Sequence, residues 1–416
     1  MSAKPHTIVI GAGIVGVSTA IWLRRAGIEV TLIDRGAPGQ GTSYGNAGVL
    51  ANCSMVPVTV PGLIRKGPRY ALDPNFPLFL RWSYLPRLLP WLVKYLGHAN
   101  DADTRRIAHG LTPIVSDGVE QHHALADGTK AADWIVDSDY TFAYADRAAF
   151  EADRYVWGLR REAGFEPDLI EGGAARDYEP NLGPAVGCLA VMKDHGFIRD
   201  PGGYVSALAV EFQNLGGMLR QAEVKDFSFT DGKVSAVETT TGPISCSDVV
   251  LATGVWSKPL MKRLGLTIPL ETERGYHVVF EGADGGPAMP IMVAAGKFVA
   301  TPMAAGLRCA GVVEFGGLKA GPSAAPFALL RKEVKKAFPN LRAKGEIEWQ
   351  GHRPAPADSL PLIGQVSGTG VYVGFGHHHI GLTGGPKTGR LIAQMMTGHR
   401  PNMDMAPYDP ARFARA

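Results

Sequence analysis

The 416-residue chain has only four cysteines, Cys53, Cys188, Cys246 and Cys309, and no two stand at the spacing of a metal-binding pair. That excludes a zinc knuckle. It also offers no disulfide framework, as expected of a reducing compartment. Charge of one sign is missing too: 42 Lys and Arg against 39 Asp and Glu leave a net charge of +3, with no basic stripe, so nucleic acid is not an expected partner. No long uncharged apolar run occurs. The most apolar stretch, residues 76–96 (FPLFLRWSYLPRLLPWLVKYL), contains Pro77, Pro86, Pro90, Arg81, Arg87 and Lys94, whereas a spanning helix needs about 20 mostly uncharged residues. It reads as a broken amphipathic helix packed on the protein, with a patch that docks on a membrane surface or a partner as the alternative. The opening MSAKPHTIVIG leaves no room for a charged region ahead of a cleavable apolar segment. A cytoplasmic location follows as the expectation, with peripheral contact at the inner membrane face through residues 76–96.

What is present is more telling. The length exceeds one ordinary core, and 45% hydrophobic with 19% charged residues is a globular composition. Residues 7–34 read TIVIGAGIVGVSTAIWLRRAGIEVTLID. TIVI is a buried-strand run, GAGIVG is G-x-G-x-x-G at Gly11, Gly13 and Gly16, a helical pattern runs to Gly27, and VTLI is a second strand ending at Asp34. Gly11 permits the tight turn, Gly13 lets backbone approach a pyrophosphate, and Gly16 lets helix pack on strand. The helix start, with Ile14 and Val15, offers free N–H groups to negative charge. Asp34, 23 residues after Gly11, is placed to accept from a ribose hydroxyl and disfavours a 2′-phosphate. Strand, turn, helix, strand and acid together predict dinucleotide binding. Residues 35–54 then bring Gly, Thr, Ser and Asn where a plain NAD domain would be apolar, and ISCSDVVLATGVWS (244–257) predicts a further strand running under the nucleotide.

GAGIVGVSTAIWLRRAG…VTLID, GTSYGNAGVL, VVLATGVWS, HRPAPADSLPLIG and GHHHIGLTGGPKTGRLIA together resemble the FAD-dependent D-amino acid oxidase superfamily, in its D-amino acid dehydrogenase-like branch. The resemblance runs from about residue 6 to 398, loosely in the middle third, and is more specific for FAD than for substrate. It implies an α/β chain (α+β overall): a Rossmann-type FAD domain gathered from 1–75, 195–262 and 345–416, and an antiparallel-sheet substrate domain from 76–194 and 263–344. Asp231-Gly232 and Gly242 signal strand turns, residues 145–164 a helix closed by Gly164, and residues 275–315 an antiparallel sheet. The resemblance further implies that Thr42 and Ser43 meet the pyrophosphate, that Asn46, Ala47, Gly48 and Val49 line the flavin, and that the Val224 backbone meets the adenine. Arg35, Ala252 and Gly254 complete the nucleotide wall. Some relatives attach flavin through a cysteine; none lies in the C-terminal segment here, so non-covalent FAD is expected.

Oxidising an amine at flavin needs neither a metal nor a nucleophilic side chain. It needs a grip on the substrate carboxylate, for which Arg is best suited. Arg353 matches the family's Arg-x-x-x-x-Asp-x-x-Pro-x-x-Gly segment, with Asp358 bracing the loop. Arg274 precedes a predicted strand, and Tyr276 shares its face by alternation. Arg308 is a weaker candidate, and His277 faces the other way and is not one. The run GFGHHHIGLTGGP looks like a metal site, but adjacent histidines diverge and no carboxylate or cysteine is near in sequence. The resemblance makes it a backbone site: Gly376, Gly381 and Gly384 approach the ring, the Leu382 and Thr383 N–H groups face flavin N1 and C2=O, and His378 or His379 rims the substrate pocket. The expected activity is oxidation of a D-amino acid, D-hydroxyproline or N-substituted glycine to an imine, with electrons passing to a quinone or carrier. Oxidation of a 2-hydroxy acid, and an FAD-binding role within a multi-chain amine dehydrogenase, are the alternatives.

Overall fold

Short runs of β-branched and aliphatic residues bounded by glycine form the central strands. In the computed structural model, which describes residues 6–414, His6–Ile10 and Glu29–Asp34 pair in parallel, with Ile14–Arg25 as the crossover helix. Residues 1–5 and 415–416, the outer ends of the expected FAD-domain segments and part of the supposed leader-free start, lie outside the described residues. The parallel sheet runs Val371–Phe375, Asp248–Leu251, His6–Ile10, Glu29–Asp34, Met218–Gln221, with Leu362–Val366 added antiparallel at one edge. Its strands are apolar along their length because helices cover one face and the Val224–Ser245 meander and its neighbours cover the other. In that meander Asp231 and Gly232, at φ +50° and +78°, make the expected two-residue turn.

A ten-stranded, mostly antiparallel sheet stands against this unit. Its main path is Gly345–Pro356, Leu270–Glu281, Gly306–Phe315, Phe298–Met303, Ile291–Val293, Ile135–Tyr144, Cys188–Ile198 and Val49–Leu50.

Two segments pack elsewhere than the sequence-based partition places them, and one expected helix is divided. Helices Asp101–Val115 and Gly118–Ala126, expected with the substrate sheet, bury Ile107, Leu111, Ile114 and Leu125 in the core beneath the parallel sheet, beside Leu382 and Ile392. Gly345–Pro356, expected with FAD, is instead the edge strand of the large sheet, paired along Leu270–Glu281. Residues 145–164 form two helices, Arg147–Ala152 and Arg154–Glu162, broken at Asp153. Amphipathic pattern marks these elements correctly but carries no label for which core receives the apolar face. Residues 78–97 begin with a strand, Leu78–Leu80, before the helix Leu85–Gly97, which buries Leu88, Trp91 and Tyr95. No helix among the described residues is long and apolar enough to cross a membrane.

Candidate active site

One cavity of about 850 Å³ is lined from both sheets, and Val224, Arg35, Arg353, His378 and Arg160 are among its lining residues. Its floor is the G-x-G-x-x-G turn. Gly11 has φ +105°, and a Cβ there would come 2.5 Å from Ala252 O; only glycine fits. Gly16 does not line the cavity: a Cβ would collide with Gly11 O, so it sets helix-on-turn packing. Ser43 Oγ accepts from the Ile14 N–H (3.0 Å) at the helix start. Asp34 accepts from Ala12 N–H (2.7 Å) and Gly36 N–H (2.9 Å), so it holds the turn while still bordering the cavity. Gly13, Ile14, Val15, Arg35, Thr42, Asn46, Ala47, Val49, Val224, Ala252 and Gly254 all line the space. Thr42 donates its hydroxyl to His352 O (2.8 Å). Gly48 is displaced from the wall: at φ +81° it makes the turn into Val49–Leu50, and a Cβ would meet Met303 Cε at 2.5 Å.

The opposite end of the nucleotide path is the start of the Gly381–Met396 helix. Gly376, Gly381, Leu382 and Thr383 line the cavity there, and first-turn N–H groups have no intrahelical acceptor. Two helix N-termini, a side-chain-free cradle and an elongated cavity between them fit a flavin dinucleotide. None of the four cysteines is among the described residues lining the cavity.

Arg353 enters the cavity from Gly345–Pro356 and lies across Gly275, where a Cβ would stand 2.6 Å from its Cζ and Nη2. The guanidinium is walled by protein but opens on the cavity, and no carboxylate of a described residue comes within 4.0 Å. Burial lowers its pKa while Glu273 opposes that shift. Glu273 is the cross-strand neighbour of Arg353 and is itself 5% exposed. Its Oε1 lies 2.7 Å from His378 Nε2. Burial pushes the Glu273 carboxyl up, but His378, Arg353 and His379 together hold it below its ordinary value.

The three histidines divide. His377 Nε2 is 2.8 Å from Thr388 Oγ1 beneath the C-terminal helix, and burial lowers its pKa to about 4. His378 meets Glu273; at φ +53° it occupies a left-handed conformation secured by its N–H donating to Pro354 O (3.0 Å). His379 borders the cavity with Nδ1 3.0 Å from that of His378, and burial followed by His378 lowers its pKa to about 3.

Arg274 and Tyr276 share a face, as alternation predicts, but Arg274 does not line the cavity and the Tyr276 hydroxyl is engaged elsewhere. Arg274 Nη1 lies 2.8 Å from Glu314 Oε2, and Nη2 donates to Ala320 O and Gly321 O. Tyr276 borders the cavity, yet its hydroxyl donates to Glu314 (2.5 Å) and accepts from Ser323 N–H. Residues 273 and 275 are the ones presented to Arg353. Arg308 braces the flavin-side loop, donating from Nη1 to Tyr44 O and Asn46 O (both 2.8 Å), and burial lowers its pKa to about 10. His277 stacks on Trp349. Asp358 pairs with Arg412 (2.8 Å) and braces its loop. Sequence reasoning missed two residues: Glu273, whose position opposite Arg353 is a pairing property, and Arg160, which the Arg154–Glu162 helix brings to the far wall. Only the period-two pattern of ETERG hinted at the first.

A family model described as FAD dependent oxidoreductase matches residues 6–395. The chain is 40% identical over 416 residues to a D-amino-acid oxidase of Bradyrhizobium diazoefficiens, covering 98% of this chain and 99% of that one. It is 28% identical to a D-amino acid dehydrogenase of Rhizobium rhizogenes, covering 97% and 99%. The fold matches the crystal structure of L-proline dehydrogenase from P. horikoshii with a TM-score of 0.75, at 20% identity and 100% and 99% coverage.

Proposed function

This chain belongs to the DAO family of FAD-dependent oxidoreductases, and from that premise we propose that it oxidises an amino acid at the α-carbon, giving an imine that hydrolyses to a keto acid. The observation that carries this reading is Arg353: a guanidinium open to the cavity with no carboxylate of a described residue within 4.0 Å, beside the turn that leads into the Gly381–Met396 helix. A carboxylate ligand satisfies it in the bidentate mode that Arg favours. FAD, when bound, supplies the hydride acceptor. The chain's residues hold the substrate. Arg353 fixes the carboxylate, and Gly275 leaves room for the guanidinium to lie flat on the sheet. Glu273 supplies a fixed negative charge that balances Arg353 in a site shielded from water. His379 borders the cavity beside His378, and its lowered pKa means that it adds no positive charge next to the substrate amine. The first-turn N–H groups of Leu382 and Thr383 put a positive dipole end on the cavity. FAD is held without a covalent bond, a reading supported by the absence of a lining cysteine among the described residues.

Anaerobic bleaching of the bound flavin across D-, L- and N-alkyl amino acids and 2-hydroxy acids tests this. Bleaching by amino acids supports it; bleaching by 2-hydroxy acids alone overturns it. For the electron acceptor we propose a quinone or carrier reached at residues 76–96. Trp82, Leu89 and Val93 are 57%, 51% and 64% exposed there although the same segment buries Trp91. Strong peroxide release in aerated buffer without dye would refute that acceptor.

A further inference from the structure

Two arginines border the same cavity from different elements. Arg353 comes from the Gly345–Pro356 strand with Glu273 opposite it. Arg160 comes from the Arg154–Glu162 helix; it has no carboxylate of a described residue within 4.0 Å, and no acid faces it as Glu273 faces Arg353 across the strand pair. Its position is nevertheless fixed. The guanidinium carbon sits 4.6 Å from the Phe142 ring and 4.6 Å from the Trp157 ring. Nε donates to Cys53 O at 3.4 Å. The two rings, at 75° to one another, flank the cation by cation–π contact, and the backbone carbonyl occupies its Nε side. Neither Nη donates to a nitrogen or oxygen of a described residue, and the Cys53 side chain is the other group within the guanidinium's reach. That remaining edge is the fork that matches a carboxylate.

We propose that Arg160 anchors a second anionic group, and that the substrates are amino acids carrying a carboxylate side chain. This rests on the amino acid oxidation proposed above. With the α-carboxylate on Arg353, a side-chain carboxylate pairs with Arg160 across the cavity. A neutral side chain leaves a charged donor edge unsatisfied once the substrate has displaced water, and that is penalised. The cation–π contacts and the Cys53 contact pre-set the fork, so little ordering is needed when the anion arrives.

The test compares acid and amide partners of nearly equal shape on the FAD-loaded enzyme: glutamate with glutamine and aspartate with asparagine, in both enantiomers. Anaerobic flavin reduction is the readout. The acid of each accepted pair is expected to have a kcat/KM roughly 10- to 100-fold higher than its amide. Arg160→Gln is expected to erase that ratio and Arg160→Lys to keep part of it, with flavin content and Tm reporting folding. Amides that match acids in the unaltered enzyme, or a preference that survives Arg160→Gln, would overturn the proposal. If neutral amino acids bleach the flavin and acidic ones do not, this inference fails and amino acid oxidation stands. If no amino acid bleaches it, both fail. Should Arg160→Gln not fold, glutarate and butyrate titrated into the unaltered enzyme decide through the flavin absorbance. Glutarate is expected to bind at least roughly 10-fold tighter, and equal affinity refutes the second anchor.

Discussion

Gly275→Ala isolates positioning from folding. Residue 275 lies in an extended strand with no positive φ, so alanine is compatible with the backbone. Its Cβ would land 2.6 Å from Arg353 Cζ and Nη2 and 3.0 Å from Nε. Ordinary carbon contacts begin near 3.5 Å, so the guanidinium must move by about 1 Å. A displacement of that size at a substrate-positioning group costs roughly 100-fold, or about 2.7 kcal/mol in kcat/KM. Folding should move the other way or not at all, because replacing glycine within a strand is worth about 0.5–1 kcal/mol in favour of alanine. The expected result is a roughly 100-fold fall in kcat/KM for the preferred amino acid, with flavin content unchanged and Tm level or slightly raised. Steady-state kinetics and thermal unfolding on the same preparation check it. Full activity in Gly275→Ala would refute the placement of Arg353 as the carboxylate anchor, and loss of flavin would refute the division between sheet and cradle.

Glu273→Gln removes a buried carboxylate between His378 and Arg353 and should cost about 3–5 kcal/mol of stability, read as a Tm lower by several degrees. Arg274→Ala should cost less, about 1–3 kcal/mol, because Glu314 keeps Arg81, Tyr276 and Ser323 as partners, and kcat/KM of the folded fraction should stay within about two-fold, since that arginine does not line the cavity. His122 and His377 are buried and neutral, with pKa values lowered to about 4 by burial, so the unfolded chain binds more protons than the folded one below about pH 6.5. Their stabilisation is complete above that pH and is lost as pH falls toward 4, by up to about 3 kcal/mol each; the depressed carboxyl of Glu273 adds to the loss as pH falls through its folded value. Denaturant unfolding between pH 7 and 4.5 should therefore show stability dropping with acid, and a flat profile would contradict it. Acid precipitation should release the flavin into the supernatant, whereas flavin retained on the pellet would refute non-covalent binding.

The sequence by itself determined the cofactor end. Gly11, Gly13, Gly16 and Asp34 act within one strand–turn–helix–strand segment, so their spacing is already their geometry. The Asp231-Gly232 turn and the glycines before the Gly381–Met396 helix were legible for the same reason. It also showed that Arg274 and Tyr276 share a face, and the family resemblance made Arg353 a candidate. It could not show which face of Leu270–Glu281 meets the cavity, because alternation fixes a period and not a phase. Pairing with Gly345–Pro356 chose the phase: it put Glu273 and Gly275 beside Arg353 and turned Arg274 toward Glu314. Arg160 and Arg353, 193 residues apart, meet one cavity only because a helix and an edge strand are carried to its walls by the fold. Local chemistry is written in spacing. The substrate end is assembled from long-range neighbours, and there only the tertiary structure decided which charges are paired and which are left for a ligand.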